Sequence, residues 1–511
     1  MKLLLISLQS NASLIGLKYI AANVKDKGYD VKILFLPGYL ECDLHSAIRE
    51  FVTAYKPDLI GISLMSIEFY PAKNLSRLLK NAFDIPIIWG GVHAIIRPDE
   101  CIRYADYVCT GEGEHSAVLL LDHLKRNGRD ALPEIAGIWV KHHGEVIKQE
   151  NAPPESDLNT LPLQEYLPDY FFGFHKGRIY NFGEHEGLFR LYALYGGTCH
   201  MLISTRGCPF KCSYCGNSAF VSVYGRRVRE RSVENVIEEM KEVKKDPYVL
   251  YMNFQDDCFF THGKEWMKLF CSEYKRHIGL PFIARVIPTM IDREILHMLK
   301  DAGLCWVVMG IQSGSDRVNF EIYDRKIRFS AVQKAASIIA ETGAAAFYEM
   351  IVDNPYEREE DQIETINALS SLKKPYVVSL AHLTFFPGTS LAERAVKDGI
   401  VTRDAYLYRY LLNVNDTYLN KLLSILPYLP GWIVRYLNKP EMQRKAFHIS
   451  ALNFMTSRAL DYRINWIFRT ITGNWRSTFA RLISSYLGKG DLEYDQRLKL
   501  AKQEMPELFE E

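Results

Sequence analysis

The sequence predicts an α/β protein with a doubly wound parallel sheet at its N-terminal end, a partial (β/α)6 barrel in its middle and a helical C-terminal region. Three observations support this prediction. Apolar runs alternate with helical patterns over residues 1–150, six more such repeats lie within residues 196–400, and the alternation stops near Val401. At 511 residues the chain is also too long for a single core, so two large units and an appendage are expected.

The first predicted unit, residues 1–150, resembles a flavodoxin-like sheet because its strands are continuously apolar and helical segments separate them. Such sheets bind ligands at the carboxyl ends of their strands. Small residues are frequent in the loops that follow these strands, and they let backbone approach a large planar ligand closely. The predicted strands are Lys2–Leu8, Val31–Leu36, Leu59–Ser63, Ile85–Trp89 and Tyr107–Thr110.

A linker is predicted over residues 151–195, since Pro153, Pro154, Pro162 and Pro168 interrupt any regular pattern there. The barrel is expected over residues 196–400, with its active site at the carboxyl ends of its strands. Its predicted strands are Leu202–Thr205, Val249–Gln255, Phe282–Val286, Val307–Gln312, Ala346–Val352 and Val377–Phe385.

Three cysteines, Cys208, Cys212 and Cys215, follow the first predicted barrel strand at C-x-x-x-C-x-x-C spacing. Three thiolates hold three irons of a cubane cluster and leave the fourth iron open to a ligand. A structural zinc ion is the alternative, but zinc requires a fourth ligand, and the candidates nearby are Cys199 and His200. The other cysteines form no short-spaced pair, so a second cluster is not expected.

The cysteine triplet, with Tyr214 directly before its last member, resembles the signature of the radical S-adenosylmethionine enzymes. The resemblance implies one 4Fe-4S cluster bound by the three cysteines. It also implies that the open iron chelates S-adenosylmethionine and that an electron from the cluster cleaves it to a 5'-deoxyadenosyl radical.

Residues at the later strand ends are expected to contact S-adenosylmethionine by the same resemblance. The Asp256 carboxylate would accept from its ammonium group, although paired aspartates often cap helices. Arg285 would contact its carboxylate or form an ordinary salt bridge, and Gln312 stands where the family commonly has glutamate. The expected cofactor residues are Tyr214, Gln255, Asp256, Asp257, Arg285, Gln312 and Ser313, and no catalytic residue is assigned beyond the cluster.

The loops of the first unit resemble those of the cobalamin-binding domain that precedes many radical S-adenosylmethionine domains, although Gly90 and Gly91 also suit an ordinary tight turn. Cobalt ligation by histidine is not expected, because the family's Asp-x-His-x-x-Gly loop is missing and His45 falls in a predicted helix. The expected cobalamin residues are Ser13, Ser63, Ser66, Gly90, Gly91, His93, Gly111 and Glu112.

Composition indicates a globular protein of a reducing compartment, with a formal net charge of +1, 48% hydrophobic residues and ten cysteines. We expect a cytoplasmic protein. The helical region, residues 401–511, carries thirteen basic and four acidic residues between Val401 and Gly490. It is interpreted as a barrel cap with a solvated basic face or as a surface that contacts anionic lipid. Nucleic acid is not an expected partner, since no recognition motif accompanies the charge.

The two resemblances together predict a methyltransferase that acts on an unactivated carbon or a phosphinate. A cyclase or rearrangement enzyme with the same cofactors is the second hypothesis. A non-catalytic iron-sulfur electron carrier or sensor is the third. A small-molecule or lipid-like substrate and an external electron donor, such as flavodoxin or ferredoxin, are the expected partners.

Overall fold

The computed structural model of the chain describes residues 1–37, 44–402 and 414–445, together with residues 450 and 452. Within these residues the chain forms a nine-stranded sheet, a six-stranded parallel sheet that curves into a partial barrel, and a two-stranded ribbon beside the barrel. Both α/β units of the predicted fold class are confirmed.

The nine-stranded sheet has a parallel centre in the order β5-β4-β3-β1-β2, which is the flavodoxin-like order that the sequence predicts. An antiparallel hairpin extends each edge. Its strands are β1 (Lys2–Ser7), β2 (Asp30–Phe35), β3 (Leu59–Ser63), β4 (Ile87–Gly90), β5 (Tyr107–Cys109), β6 (Ile138–His142), β7 (Glu145–Ile147), β8 (Phe171–His175) and β9 (Arg178–Asn181). Its helices are α1 (Ile15–Asp26), α2 (Leu44–Tyr55), α3 (Phe69–Ala82), α4 (Val92–Ile96), α5 (Pro98–Cys101), α6 (Gly113–Asn127) and α7 (Glu186–Tyr192).

The second half of the predicted linker forms part of this sheet, because β8 pairs in parallel with β2. Phe171, Phe182 and Phe189 join one of the two cores that cover the faces of the sheet. At Gly173 a Cβ atom would lie 1.9 Å from the Phe182 ring, so only glycine fits there. Residues 171–192 therefore pack against the first unit, while the domain limits at 150, 195 and 400 stay predictions.

The barrel sheet consists of six parallel strands in sequence order, with helices packed on its outer face. The strands are β10 (Cys199–Leu202), β13 (Tyr251–Phe254), β14 (Phe282–Val286), β15 (Leu304–Gln312), β16 (Ala345–Val352) and β17 (Tyr376–His382), and β11 (Thr205–Arg206) with β12 (Arg229–Glu230) forms the ribbon. The helices are α8 (Gly216–Ala219), α9 (Val221–Tyr224), α10 (Val233–Val243), α11 (Lys264–His277), α12 (Arg293–Ala302), α13 (Phe329–Thr342), α14 (Glu359–Ser370) and α15 (Ser390–Lys397).

The first barrel strand ends earlier than the sequence prediction of Leu202–Thr205. Beyond Leu202 the chain leaves the sheet, since Ser204 and Thr205 bond to Asp256 and Thr205 pairs in the antiparallel ribbon with Glu230. The ribbon, rather than a barrel strand, therefore leads directly into the cysteine loop.

The described part of the helical region packs on the barrel through α16 (Tyr418–Ile425), α17 (Gly431–Leu437) and α18 (Pro440–Gln443). Leu422, Leu426 and Val434 are fully buried in the same core as the barrel helices. The amide of Asn420 donates to Asp353 at 2.8 Å. These contacts support the barrel-cap interpretation for residues 414–437. Of the helical region predicted over residues 401–511, residues 403–413, 446–449, 451 and 453–511 lie outside the described residues. None of the described helices has the length and apolar character needed to cross a membrane.

Candidate active site

The cysteine loop lies between β11 and α8 at the mouth of the barrel, and Ser213 at its centre fixes it. The Ser213 N–H donates to the Tyr323 carbonyl at 2.8 Å, its hydroxyl donates to the Ile322 carbonyl at 2.6 Å, and its own carbonyl accepts from the Leu391 N–H at 3.0 Å. Two separate segments of the barrel therefore hold the backbone between Cys212 and Cys215.

Solvent partly reaches Cys208, Cys212 and Cys215, whereas the other six described cysteines are buried and form no disulfide within the described residues. Burial, with smaller contributions from the neighbouring cysteines and Asp257, raises the pKa of Cys208 to about 11 and that of Cys215 to about 12. A metal centre would have to displace the thiol protons on binding, as metal ligation by cysteine generally does.

Within the part of the chain that the structure describes, no three His, Cys, Asp or Glu side chains converge on a position that one metal ion could occupy. An iron-sulfur cube is wider than one ion, and three partly accessible thiols on a fixed loop fit its three protein-bound irons.

A buried arginine, Arg325, lies behind the cysteine loop and was not identified from the sequence. Its guanidinium donates to the Ile311 and Gly310 carbonyls at the end of β15, at 3.0 and 2.6 Å. Burial raises the pKa of Cys212, and the positive charge of Arg325 opposes part of this increase. No local pattern distinguishes this residue, since it lies 110 positions after Cys215 in the sequence.

Tyr214 packs its ring edge against Tyr323, with 4.8 Å between ring centroids. Its neighbours belong to a small hydrophobic cluster around the loop that includes Leu383, Leu391 and Phe385. Tyr214 thus anchors the loop in the described structure, and its contact with S-adenosylmethionine stays a prediction.

The barrel interior carries a polar stripe at the carboxyl ends of its strands. Arg285 donates to the Gln255 side chain at 2.9 Å, and Gln255 donates to Asn253 at 2.7 Å. Alternate residues of these strands, such as Phe254 and Ala284, pack instead into the helix-facing core. Glu349 of β16 lies near the same stripe, because the charges of both Arg285 and Glu349 act on the pKa of Tyr195.

The two adjacent aspartates face different surroundings. Asp256 is fully buried, and its Oδ1 accepts from the Ser204 and Thr205 N–H groups at 3.1 and 2.5 Å and from both hydroxyls. Asp257 is exposed towards the cysteine loop. Partial desolvation raises the pKa of its carboxyl, while a hydrogen bond with Asn217 lowers it. Successive side chains point to opposite sides at a strand end. This alternation in the sequence could have predicted that one aspartate is buried and the next is exposed.

Gln312 ends β15 with a φ of 71°, and Ser313 follows it as a buried residue. The Ser313 hydroxyl lies 3.2 Å from the Thr365 hydroxyl and 3.5 Å from Glu357. Burial raises the pKa of Glu357 to about 7, and the charge of Asp361 adds to the increase. Glu357 is thus a carboxyl group beside a predicted cofactor residue that sequence reasoning missed.

A glycine-lined cavity of about 190 Å³ lies at the carboxyl ends of β1, β3, β4 and β5. At Gly91, whose φ is 91°, a Cβ atom would lie 2.8 Å from the Leu64 carbonyl, so a side chain is excluded. The volume is below the roughly 300–1,000 Å³ of ordinary small-molecule pockets, so the cavity is too small to enclose a whole cobalamin. Of the residues predicted to bind cobalamin, Ser63, Gly90, Gly91 and Gly111 line it.

The other predicted cobalamin residues do not line this cavity. His93 is fully buried, with Nδ1 3.0 Å from the Ser66 hydroxyl and Nε2 3.5 Å from Glu100. Ser13 accepts from the Leu194 N–H at 3.3 Å. His45 is exposed on α2, as predicted. The contacts of Ser13, Ser66 and His93 are those of structural residues, and their cobalamin roles stay predictions.

Glu112 connects the cobalamin-domain loop to the cysteine loop. Its carboxylate accepts from Arg206 at 3.1 Å and from Arg229 at 2.7 and 3.0 Å, and Arg206 also donates to Glu114 at 2.6 Å. The exposed fractions of the Arg206, Glu112 and Arg229 side chains are 18%, 15% and 7%. Burial alone would raise the pKa of Glu112, but these two arginines hold it below its usual value. Arg206 stands two residues before Cys208, so this ion pair joins the two predicted sites.

A sequence model of the radical SAM superfamily matches residues 202–388, and a model of the B12 binding domain matches residues 1–121. The chain belongs to the radical S-adenosylmethionine enzymes with a B12-binding domain. Its cofactors are a 4Fe-4S cluster, S-adenosylmethionine and cobalamin. As a member of this enzyme family it is a catalyst, which excludes the hypothesis of a simple electron carrier or sensor.

Curated relatives of this radical S-adenosylmethionine enzyme include an uncharacterized methyltransferase of Pyrococcus horikoshii, 26% identical over 76% of this chain and 79% of the relative. The cytidylyl-2-hydroxyethylphosphonate methyltransferase of Streptomyces wedmorensis is 26% identical over 77% and 80%. The anaerobic magnesium-protoporphyrin IX monomethyl ester cyclase of Rubrivivax gelatinosus is 24% identical over 68% and 60%.

Among solved structures, the radical S-adenosylmethionine methyltransferase TsrM of Kitasatospora setae, with cobalamin and a [4Fe-4S] cluster bound, has the same fold. It aligns with a TM-score of 0.61 at 17% identity, covering 79% of this chain and 76% of the TsrM chain. This likeness extends over both the sheet and the barrel.

Replacing Cys208, Cys212 and Cys215 by alanine is expected to abolish the cluster, because no other described cysteine is accessible to replace them. After anaerobic reconstitution the parent enzyme should hold about four irons per chain and the triple variant almost none. Iron and sulfide analysis measures this. A Cys271→Ala variant, which removes a buried cysteine elsewhere, is the control, and about eight irons in the parent would contradict a single cluster.

Asp257→Asn is expected to weaken S-adenosylmethionine binding by about 1.5–3 kcal/mol through loss of a charge-assisted hydrogen bond. Asp256→Asn should instead lower the free energy of unfolding, because its buried carboxylate holds Ser204 and Thr205. Isothermal titration of the cluster-loaded protein and urea unfolding separate the two effects. Unchanged affinity in Asp257→Asn would exclude that residue from the cofactor site.

Glu112→Gln is expected to destabilise the protein by about 3–5 kcal/mol, because it leaves the buried Arg229 without its carboxylate partner and Arg206 with Glu114 alone. Since the folded-state pKa of Glu112 is lowered, this contribution is present above its unfolded pKa and is lost as the pH falls through the folded value. Urea unfolding at neutral pH measures the effect. Asp99→Asn, which breaks the exposed Lys148–Asp99 pair, is the control and should cost about 0–1 kcal/mol. Equal effects would contradict the special role of Glu112.

Proposed function

We propose that the enzyme is a cobalamin-dependent methyltransferase that acts on an unactivated carbon or a phosphinate. When bound, S-adenosylmethionine and the cluster supply a 5'-deoxyadenosyl radical, and cobalamin supplies a methyl group. Ordinary methyl transfer requires a nucleophilic acceptor, so a chain that holds both cofactors suits an acceptor that is not nucleophilic. The observation that carries the proposal is that one chain holds both a radical SAM unit and a B12-binding unit, whose loops the Glu112–Arg206 ion pair joins.

The residues of the barrel mouth have defined roles in this proposal. The Ser213 contacts fix the cysteine loop, while Asp257, Arg285 and Gln255 present charged and amide groups towards S-adenosylmethionine. The glycines of the first domain, with Ser63, accept one arm of cobalamin. The methyltransferase names of two relatives support the proposal.

A ring-forming reaction with the same cofactors is the second candidate, since three of the curated relatives are cyclases. Such an enzyme would use the radical without consuming the methyl group of S-adenosylmethionine. The two candidates therefore differ in a product that can be measured before the substrate is known.

The test uses the reconstituted enzyme with reduced cobalamin and S-adenosylmethionine carrying a deuterated methyl group. A methyltransferase should form deuterated methylcobalamin and S-adenosylhomocysteine as well as 5'-deoxyadenosine. A cyclase should form 5'-deoxyadenosine alone. Mass spectrometry measures all three, and the triple cysteine variant is the control. Absence of S-adenosylhomocysteine in the presence of bound cobalamin would contradict the methyltransferase.

We further propose a reducing, cytoplasmic location with delivery of electrons from an external donor such as flavodoxin or ferredoxin. All nine described cysteines lack a disulfide within the described residues, which suits a reducing compartment. Gly207, Pro209 and Lys211 are exposed beside the predicted cluster ligands, where a donor can approach. Peripheral membrane contact is proposed through the basic tail, whose described part exposes Trp432 and Tyr436.

Anionic vesicles test the membrane proposal. If lipid headgroups attract the tail, the full-length protein should sediment with phosphatidylserine vesicles at low salt and be released at high salt, because the Debye length shortens. Neutral phosphatidylcholine vesicles are the control. No sedimentation at low salt would leave residues 414–437 with their role as a barrel cap alone.

A further inference from the structure

The cysteine loop is covered on two sides and open on a third. Ser213 ties its inner part to the barrel through hydrogen bonds with backbone groups. The ion pair of Arg206 with Glu112 joins its first part to the N-terminal sheet unit. The residues of the loop that stay exposed are Gly207, Pro209 and Lys211. A molecule that approaches from solvent therefore meets the loop along residues 207–211.

Two exposed arginines, Arg226 and Arg227, lie beside this open side. They belong to the connection between α9 and β12, and β12 pairs with β11, which leads into the cysteine loop. The contact is close, because a Cβ atom at Gly207 would lie 3.1 Å from the Arg227 carbonyl oxygen. Gly207 directly precedes Cys208 and has a φ of 102°. The backbone thus fixes this arginine pair next to the first predicted cluster ligand.

The arginines of this segment are of two kinds. Arg229 and Arg231 are buried, and each has a carboxylate partner at 2.7 Å. Arg226 and Arg227 are exposed, and their side chains form no salt bridge or hydrogen bond with any residue that the structure describes. The same holds for Lys211 of the cysteine loop. These three cations, Lys211, Arg226 and Arg227, form a basic patch at the open side of the loop.

The carboxylates of the neighbouring segments already have partners. Glu230 and Asp324 each lie 2.8 Å from a histidine or lysine nitrogen, and Asp257 forms a hydrogen bond with Asn217. The formal net charge of the whole chain is +1, so the basic patch is a local feature and not part of a general excess of charge. A local patch of one sign steers the approach of a partner with the opposite charge.

We infer that the basic patch is the docking surface of an acidic protein that carries one electron. The inference rests on the proposed function in one respect, namely that an external donor reduces the cluster. The donor loses one electron and the oxidised cluster gains it, without the exchange of a bond or a proton. A protein bound at the patch would hold its redox group beside the partly accessible cysteines.

Such a contact is expected to be small and transient, since weak electron-transfer complexes bury less than about 1,200 Å² in total. Charges at the edge of an interface change the association rate and its salt dependence more than they change the affinity. The association rate constant, and its decrease with added salt, are therefore the quantities that report on the patch.

The test is surface plasmon resonance of the cluster-loaded full chain with an acidic flavodoxin under anaerobic conditions. Arg226→Glu combined with Arg227→Glu should lower the association rate constant at least about tenfold, the lower limit of electrostatic steering. Arg226→Lys combined with Arg227→Lys should keep the parent rate, because both charges remain.

A matched control reverses two exposed charges away from the cysteine loop. Lys334→Glu combined with Lys373→Glu changes the net charge of the chain equally, at α13 and in the connection between α14 and β17. This control should associate with flavodoxin at close to the parent rate. An unchanged rate in the arginine-to-glutamate variant, or an equal decrease in the control, would overturn the inference.

Two small molecules distinguish docking from other effects of the arginines. Reduced methyl viologen, a small cation, should reduce the cluster of the arginine-to-glutamate variant at least as fast as that of the parent. Slower reduction would show that the substitutions disturb the cluster itself, and it would overturn the docking role. Inorganic phosphate at constant ionic strength should not displace flavodoxin. Displacement would assign the arginines to a small anion and also overturn the inference.

Two outcomes separate this inference from the proposed function. Formation of S-adenosylhomocysteine by an enzyme whose association with flavodoxin does not depend on the arginines would keep the methyltransferase and reject the docking surface. Association that depends on the arginines, in an enzyme that forms no S-adenosylhomocysteine, would keep the docking surface and reject the methyltransferase.

Discussion

The buried ion pair of Glu112 with Arg206 and Arg229 is the interaction on which the arrangement of the two predicted sites depends. Arg206 is fixed to the cysteine loop by chain connectivity, and Glu112 follows Gly111 of the glycine-lined cavity. The opposite charges compensate one another in a setting where any one alone would be strongly destabilising. The distance between the cavity of the first unit and the cysteine loop is therefore set by short, directional contacts.

A second buried network lies at the interface between the N-terminal sheet unit and the barrel unit. Glu239 of α10 lies 2.7 Å from both Arg231 and His200 within the barrel unit, and Tyr19 of α1 donates to it at 3.2 Å. Burial alone would raise the pKa of Glu239, yet Arg231 and His200 hold it at about 2. The charge stays present at neutral pH. Across the interface the Tyr19 hydroxyl bonds to Glu239 and accepts from Arg231 at 3.0 Å, so a second polar contact besides the Glu112 ion pair resists rotation of the units.

Much of the fold followed from the sequence because the local signals were strong. Continuous apolar runs gave the parallel strands, and the spacing of Cys208, Cys212 and Cys215 indicated a three-cysteine loop. The ribbon at Thr205 was missed because its partner, Glu230, lies 25 positions away and the pairing has no local signature. The same reason hides Arg325, whose position beside the cysteines depends on how the chain returns after β15.

The site residues were harder to predict, since a motif identifies a segment but not the direction of each side chain. Glu112 lies in a loop whose sequence resembles that of the cobalamin-binding domain. Its carboxylate nevertheless points to the barrel unit and not to the cavity. His93 lies in a second loop of this kind, and its ring is buried against Ser66. The glycines near Glu112 and near His93 line the cavity. Glycine suits these positions because backbone that approaches a ligand closely leaves no room for a Cβ atom. The glycines of the motif are therefore the residues that the structure places at the cavity, and their contact with cobalamin stays a prediction.

The charged side chains around the cysteine loop act on its thiols in opposite directions. A cluster held by three thiolates brings negative charge into a partly desolvated site, where an uncompensated charge is costly. Arg325 supplies a fixed positive charge there, since its two bonds to the carbonyls at the end of β15 prevent it from moving to solvent. Asp257 acts in the opposite sense, since its charge raises the pKa of Cys208 and Cys215 and so disfavours their thiolates. Arg325 is thus the permanent cation that compensates the thiolate charge, whereas the contact of Asp257 with S-adenosylmethionine stays a prediction.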